Sequence, residues 1–411
     1  MEQKKLLTAA LSICMVLLLA TLTLMAACTA PAPPAPPAAE KTLKIGVLVS
    51  LTGWYSVIDA AEVGEVQEVA KMINDKGGIT IDGQKYLVEL VIEDCKSTFD
   101  GVAAAANRLV YDKGVKFDVG PSAFWNSASS PIFEQNKVLH VLGYATSAPG
   151  ELDASTPYGF LGHNCTIADA IAAIRVIKKE FPDVKKVAIS IPDEGTMGFV
   201  MPNVIRAVEL QGITVVGETV GYSNEIEDLS PIAAKLNAIK DADAYFLANG
   251  APPHLGGILK GLREQGNDKP CVSSSLVSCH IIGSISGKAA ANNAFSLAIT
   301  PNAPGNPALL NEICDRLQSQ YEQMGGIYMM DGNSLWVLTR IIEAAQSLDP
   351  TVVKAKWESM DKVETLLGTG ILGGEETYGL KNRAIGHPIP YQKLMNGEVS
   401  PGGWVDVGVV P

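Results

Sequence analysis

The sequence predicts an α/β protein made of two successive units in which strands and helices alternate, and three observations carry that expectation. Short β-branched runs alternate with helically spaced segments from Lys44 onward. The same rhythm restarts after Cys165. The composition, 47% hydrophobic and 18% charged over 411 residues, is that of an ordinary globular chain with room for two or three domains.

Taken in order, KIGVLVSL is a strand closed by Thr52-Gly53, and Ala60 to Asn74 has helical spacing, with Val63, Val66, Val69, Ala70 and Ile73 on one side. Lys76-Gly77-Gly78 stops that helix, since glycine accepts the left-handed conformation of a helix end. YLVELVIED is the next strand, residues 100–112 a helix, FDVGPS a strand, residues 127–135 a helix and VLHVLGY a strand. In the second unit, residues 167–179, 198–211, 229–239 and 255–265 are helices. KKVAISI, ITVVGETV, DAYFLANG and PCVSSS are the strands of that unit. Two later helices, residues 307–324 and 331–347, and a glycine-rich end from Gly368 complete the chain. Such alternation calls for mostly parallel sheets covered on both faces. Two lobes side by side leave a cleft, where helix N-termini favour anionic groups.

The N-terminus reads as an address. Lys4 and Lys5 precede an uncharged apolar stretch, Leu6 to Ala27, followed by Leu24-Met25-Ala26-Ala27-Cys28 at its boundary. This is the pattern of a secretory signal peptide over residues 1–27. The Cys after two small residues resembles the bacterial lipobox, in which the Cys28 thiol receives the lipid; Met25 stands where leucine is usual. The alternative is an uncleaved anchor, because 22 apolar residues can span a bilayer. Residues 28–41 form a Pro/Ala linker: Thr29 to Ala39 carries five prolines and no charge, which gives a semi-rigid spacer. Five further cysteines, Cys95, Cys165, Cys271, Cys279 and Cys314, remain; Cys271 and Cys279 either pair or stay as buried thiols.

The net charge of −12 argues against a nucleic-acid partner. Catalytic constellations are absent. GSISGK at 283–288 has one residue too few between its glycines for a phosphate loop, and Ala289 replaces the hydroxyl residue. The five histidines are scattered and read as structural, and no cofactor or metal site is expected.

LKIGVLVSLTG, INDKGGI, VIEDCKST, GPSAFWNSAS and VLGYATSAPGELD, in that order, resemble the leucine/isoleucine/valine-binding type of periplasmic binding protein, from about Thr42 to the C-terminus. The resemblance implies two Rossmann-like lobes joined by a hinge of three crossovers, with a ligand in the cleft between them. It implies lobe 1 over residues 42–163 and 300–368, and lobe 2 over 164–299 and 369–411. It also implies delivery of a small solute to ABC permease subunits, with a lipid anchor holding the protein at the outer face of a membrane. Carried over by position, Trp54 and Tyr55 would form an aromatic wall, thinned where Ile58 replaces a second aromatic. Phe124, Trp125, Asn126 and Ser127 would begin a carboxylate-gripping helix, and Ala145, Thr146 and Ser147 would form a second grip, with turn capping as the alternative for the last two. In the opposite lobe Met197, Asn249 and Ser275 line the cleft, but no carboxylate stands at Ser273-Ser274-Ser275 to hold an ammonium. A carboxylate without an amine, set against Trp54, Tyr55, Trp125 and Tyr328, therefore suits the site. A ligand sensor on the same scaffold, or an exported enzyme, is the alternative function.

Overall fold

The computed structural model describes residues 41–121, 125–163, 165–193, 198–324 and 326–411. The apolar N-terminal stretch, Cys28 and most of the linker lie outside them, as do Phe124 and Met197. Among the described residues no helix is long and apolar enough to cross a membrane.

The first half of the chain builds a six-stranded sheet. In chain order its elements are β1 (Lys41–Val49), α1 (Ser56–Asp75), β2 (Ile79–Ile81), β3 (Gln84–Asp94), α2 (Phe99–Asn107, running on as a π turn to Asp112), β4 (Phe117–Val119), α3 (Asn126–Gln135), β5 (Leu139–Leu142) and β6 (Gly159–Leu161). The sheet order is β2-β3-β1-β4-β5-β6, with β1, β4, β5 and β6 parallel. Helices on both faces explain why residues 45–49 of β1 and all four residues of β5, His140 included, are buried.

The chain then crosses to a second sheet. Its elements are α4 (Thr166–Glu180), β7 (Lys186–Pro192), α5 (Val200–Leu210), β8 (Thr214–Val215), β9 (Val220–Tyr222), α6 (Ser230–Ala238), β10 (Ala244–Leu247), α7 (Pro252–Glu264), β11 (Cys271–Ser273), α8 (Cys279–Ser286) and β12 (Ala294–Leu297). ITVVGETV is thus two short strands, both paired with β7. The segment after β12 returns to the first core as α9 (Ala308–Arg316), α10 (Gln318–Met324), α11 (Met330–Ala345) and α12 (Pro350–Ser359), so the single expected helix at 307–324 is two. A small antiparallel sheet follows, made of β13 (Lys362–Thr365), β14 (Gly368–Gly373) and β15 (Ala384–Gly386), with the short α13 (Glu375–Tyr378) before β15. Finally β16 (Ile389–Met395) and β17 (Glu398–Val405) form a hairpin that joins the second sheet antiparallel to β12. The glycine-rich end is therefore ordered strand.

Three crossings connect the sheets, at residues 162–165, 298–307 and 387–388. At the first, an added Cβ on Gly162 would lie 2.5 Å from the backbone of Ser334, so only glycine lets α11 approach the chain there. His163 of the first crossing and His387 of the third touch, Nδ1 to Nε2 at 3.3 Å. His387 Nδ1 lies 2.9 Å from the Pro388 carbonyl, which can only accept. That nitrogen therefore carries the proton, His387 Nε2 is the acceptor, and His163 Nδ1 donates to it. Both rings are held neutral. Burial pushes His387 down to about 4 and His163 well below its usual value.

A second buried titratable group lies where α1 packs on α11. Glu65 accepts from the backbone N–H groups of Tyr328 (2.9 Å) and Met329 (2.5 Å), and Glu62 from that of Asp331 (3.0 Å). These carboxyls cap the entry to α11, whose preceding residue Met329 has φ +63 and lends no side-chain cap. Within the described residues no lysine or arginine pairs with either glutamate. Burial, opposed by the N–H donors, leaves Glu65 raised to about 7, and burial with the neighbouring carboxyls holds Glu62 and Asp331 well above the usual range.

The two groups bias stability in opposite directions. Glu65 binds its proton more tightly folded than unfolded, so its contribution is complete below pH 4.5 and disappears as pH rises towards 7. His387 refuses a proton when folded, so its contribution is complete above pH 6.5 and disappears as pH falls towards 4. Each is worth ~3 kcal/mol over its window. In urea unfolding at stepped pH, the stability of Glu65→Gln relative to wild type should climb from pH 4.5 to 7, and that of His387→Gln relative to wild type should fall from pH 4 to 6.5; difference profiles of the same sign would refute the assignment.

Candidate functional site

In each parallel sheet the first strand has neighbours that leave it in opposite directions, which is where α/β sheets bind ligands. In the first sheet this switch lies between β1 and β4, and in the second between β7 and β10. The loops after these strands carry most of the residues expected from sequence.

The loop after β1 is fixed by the end of β3. Asp94 accepts from the Thr52 hydroxyl (2.7 Å) and from the N–H groups of Leu51 (3.0 Å), Thr52 (3.3 Å) and Lys96 (2.8 Å). Burial works to raise its pKa, but these donors prevail and hold it below the ordinary value. Ser97 donates to the Thr52 carbonyl (2.8 Å) and accepts from Tyr55 N–H (3.2 Å). The segment VIEDCKST thus serves as the clasp for the aromatic loop. Trp54, Tyr55 and Trp125 form one edge-to-face group, with centroids 5.3–5.9 Å apart. Their exposures differ: Trp54 is 64% exposed, and Trp125 is 2% exposed within the core under α2 and α3. Of the three, Trp54 offers a ring to solvent and Trp125 supports it from below.

The residues expected to grip a carboxylate separate into two roles. Asn126 is buried and donates to the Tyr144 carbonyl (2.5 Å) and to Glu151 Oε1 (3.3 Å). Thr146 directs both its N–H (2.5 Å) and its hydroxyl (2.8 Å) to Glu151 Oε2, which Ala148 N–H also reaches (3.3 Å). Glu151, left raised by burial despite these donors, is the internal clasp of this turn. Ala145 is buried and its carbonyl accepts from Thr166 (2.8 Å). For Thr146 the capping alternative describes the geometry. Ser147, at φ +67, turns the other way and its hydroxyl accepts from Asn203 of α5 (2.8 Å). Ser127 is half-buried in the first turn of α3.

The opposing edge belongs to the second sheet. Asn249, at φ +51 after β10, donates through its amide to the Tyr144 hydroxyl and through its N–H to Ser274 Oγ (3.3 Å). Tyr144–Asn249 and Ser147–Asn203 therefore join loops of the first sheet to elements of the second. Ser275 is half-buried, and its hydroxyl, like those of Ser190 at the end of β7 and Tyr222 at the end of β9, has no hydrogen-bond partner within the described residues. Tyr328 stands apart from the aromatic group: it lines a small cavity with His163, Ile299 and His387, at the three crossings. Tyr144 and Asn203 escaped the sequence reading. Tyr144 carries a signal, as the polar aromatic directly after an apolar parallel strand; Asn203, inside a helix, carries none. All five cysteines among the described residues are free and buried, Cys271 and Cys279 included.

The profile of the periplasmic binding protein family matches residues 42–387. Solved structures of similar shape include a leucine-binding protein LivK of Thermotoga maritima, at 20% identity and a TM-score of 0.67, covering 89% of this chain and 99% of that one. The branched-chain amino acid substrate-binding protein LivJ of Streptococcus pneumoniae in complex with isoleucine aligns at 19% identity and TM-score 0.68, over 89% and 100% of the two chains. A solute-binding protein from R. palustris in complex with 4-hydroxybenzoate aligns at 19% identity and TM-score 0.67, over 89% and 97%. No curated protein sequence matches the chain.

The different burial of the two tryptophans predicts different outcomes on truncation. Trp125→Ala should lower the stability of the ligand-free protein by ~3–5 kcal/mol, as for a large core side chain. Trp54→Ala should change it by less than ~1 kcal/mol. Chemical denaturation of both variants checks this, and equal losses would contradict the supporting role given to Trp125.

Proposed function

The chain belongs to the periplasmic binding protein family, and on that footing we propose that it is a lipid-anchored extracytoplasmic solute-binding protein of an ABC importer. It holds a small carboxylate or amino-acid-like ligand between two lobes that close about the three crossings. Cys28 carries the lipid, the Pro/Ala linker keeps the body off the membrane, and permease subunits receive the solute.

The observation that carries this reading is the facing pair of sheet edges. Aromatic and hydroxyl-bearing loops stand on one side, and Asn249, Ser274 and Ser275 on the other. A buried hydroxyl without a partner costs about 1–3 kcal/mol, which a hydrogen-bonding ligand recovers. The second-sheet residues of this set are uncharged, so an ammonium placed against them would lie uncompensated, at a cost of several kcal/mol. This supports a ligand carboxylate or hydroxyl over an α-ammonium. An aromatic acid adds a ring for Trp54, and the R. palustris protein crystallised with 4-hydroxybenzoate supports the same class.

Closure requires that the ligand bind the closed arrangement better than the open one. A thermal-shift screen against aromatic acids, short carboxylates, amides and amino acids tests the proposal. At a hundredfold excess over Kd the right solute should add ~2.7 kcal/mol, several degrees in Tm. Ser147→Ala and Asn249→Ala, each of which removes a hydrogen bond between the sheets, should shrink that shift by more than they lower the ligand-free Tm. A response to leucine-like amino acids alone would overturn the substrate class, and no response to any solute would count against the binding-protein reading.

A further inference from the structure

Outside the cleft, a groove of about 640 Å³ runs along one face of α7 in the second-sheet half of the molecule. Pro253, Gly257, Lys260, Gly261 and Glu264 recur on that face, and from the first to the last of them the helix rises about 16 Å. The segment from Asn224 to Ser230, which leads from β9 into α6, forms the opposite wall, and Ile285 of α8 closes one side.

Three features make this groove a formed surface. His254, buried at the start of α7, accepts from Ala251 N–H at Nδ1 (3.2 Å) and donates from Nε2 to the Asn224 carbonyl (3.1 Å), which pins the wall to the helix. Its charge is one-sided: Glu225, Glu227 and Asp228 are exposed and form no ion pair within the described residues, whereas Lys260 is already answered by Glu264 at 3.9 Å. Asp228 accepts from the Ser230 N–H (3.0 Å), which holds it ionised below the ordinary carboxylate range. Apolar surface lies among these charges, in half-buried Ile226 and in Ile285, which is 40% exposed. About five residues of extended chain fit the length, and such a segment would set basic side chains against the wall and apolar ones against the two isoleucines.

We infer that this groove is a docking surface for a basic, partly apolar segment of the membrane partner that receives the solute. The inference rests on the solute-binding reading for the identity of that partner. Position favours it. The wall follows β9 and α7 follows β10, so both begin at the edge of the second sheet that carries Asn249 and Tyr222, and a partner seated in the groove stands beside the solute. Attraction between exposed charges sets the approach and register of such a complex more than its final affinity. Docking should therefore weaken steeply with salt.

The test uses fluorescein-labelled acetyl-Lys-Leu-Lys-Leu-Lys-amide as the probe and the intact protein. The expected result is saturable binding at low salt, weakened about tenfold in the triple variant Glu225→Gln, Glu227→Gln, Asp228→Asn. Asparagine at 228 keeps the acceptor for the Ser230 N–H, and circular dichroism confirms the fold. Neutralising three exposed carboxylates elsewhere, Glu218, Glu375 and Glu398, should leave peptide binding within about twofold. An equal loss in both triple variants would reduce the effect to net charge and overturn the inference, as would displacement of the peptide by micromolar spermidine, which would make the groove a small-amine site. The solute-induced thermal shift, measured in parallel, should persist in both variants. Its absence from wild type would count against the solute-binding reading and leave the groove result standing.

Discussion

The chain crosses between its two sheets three times, and the rest of the structure depends on that constraint. A single crossing would leave two units on a tether. Three crossings, gathered around a small cavity lined by His163, Ile299 and His387, fix which edges of the sheets can face each other. The contacts that hold the crossings are short-range and unforgiving: Gly162 against Ser334, and two neutral imidazoles locked in one tautomeric order. α4, the first element beyond the first crossing, is buried along nearly all its length and shares one apolar cluster with Leu142 and Leu161 from the first sheet and β7 and β16 from the second. Packing beside the crossings thus ties the two halves together close to the axis about which the proposed closure would turn.

The polar chemistry is divided by the same frame. On the first-sheet side, carboxylates belong to the fold. Asp94 clasps the aromatic loop, Glu151 clasps the turn after β5, and Glu65 with Glu62 caps the entry to α11. Each uses acceptor oxygens to bind backbone N–H groups, and at Glu151, Glu62 and Glu65 those groups would otherwise be buried without partners. On the second-sheet side Asn249 and Ser274 bring an amide and a hydroxyl to the edge, while the carboxyl of Asp169 in α4 lies close enough to Tyr144 to add to the rise that burial gives its pKa. A carboxylate in the sequence near a site therefore says little about the ligand's charge. The hydrogen bonds that carboxylate already makes have to be counted first.

The elements visible in the sequence are those whose signal is local. Alternation of strands and helices was legible from Lys44 to Ser275, because a buried parallel strand is a continuous apolar run and its covering helix has a separate period. The C-terminal hairpin was not, since Ile389–Met395 and Glu398–Val405 acquire their role only by pairing with β12, nearly a hundred residues earlier. Side-chain direction was equally hidden. Thr146 and Ser147 are neighbours with similar hydroxyls, yet one faces Glu151 and the other Asn203, and the positive φ of Ser147 that separates them is set by tertiary structure. Trp54 and Trp125 touch in space, but their burial differs because one sits in an exposed loop and the other precedes a helix that packs on the core. The pairing of Glu62 and Glu65 with the start of α11 spans more than 260 residues and leaves no local trace.

The contacts across the cleft bear on which residues decide ligand choice. Tyr144–Asn249 and Ser147–Asn203 are made by the chain itself, so part of the attraction between the two edges needs no solute. A ligand held only by the loops of the first sheet would bind equally well with the edges together or apart, and would shift nothing however tightly it bound. In the proposed site, discrimination would then rest with second-edge groups such as Asn249 and Ser275. A solute that leaves a polar group of that edge unsatisfied would be penalised in the joined state alone. For a site of the proposed design, affinity for the first edge and competence to bring the edges together would be separate properties.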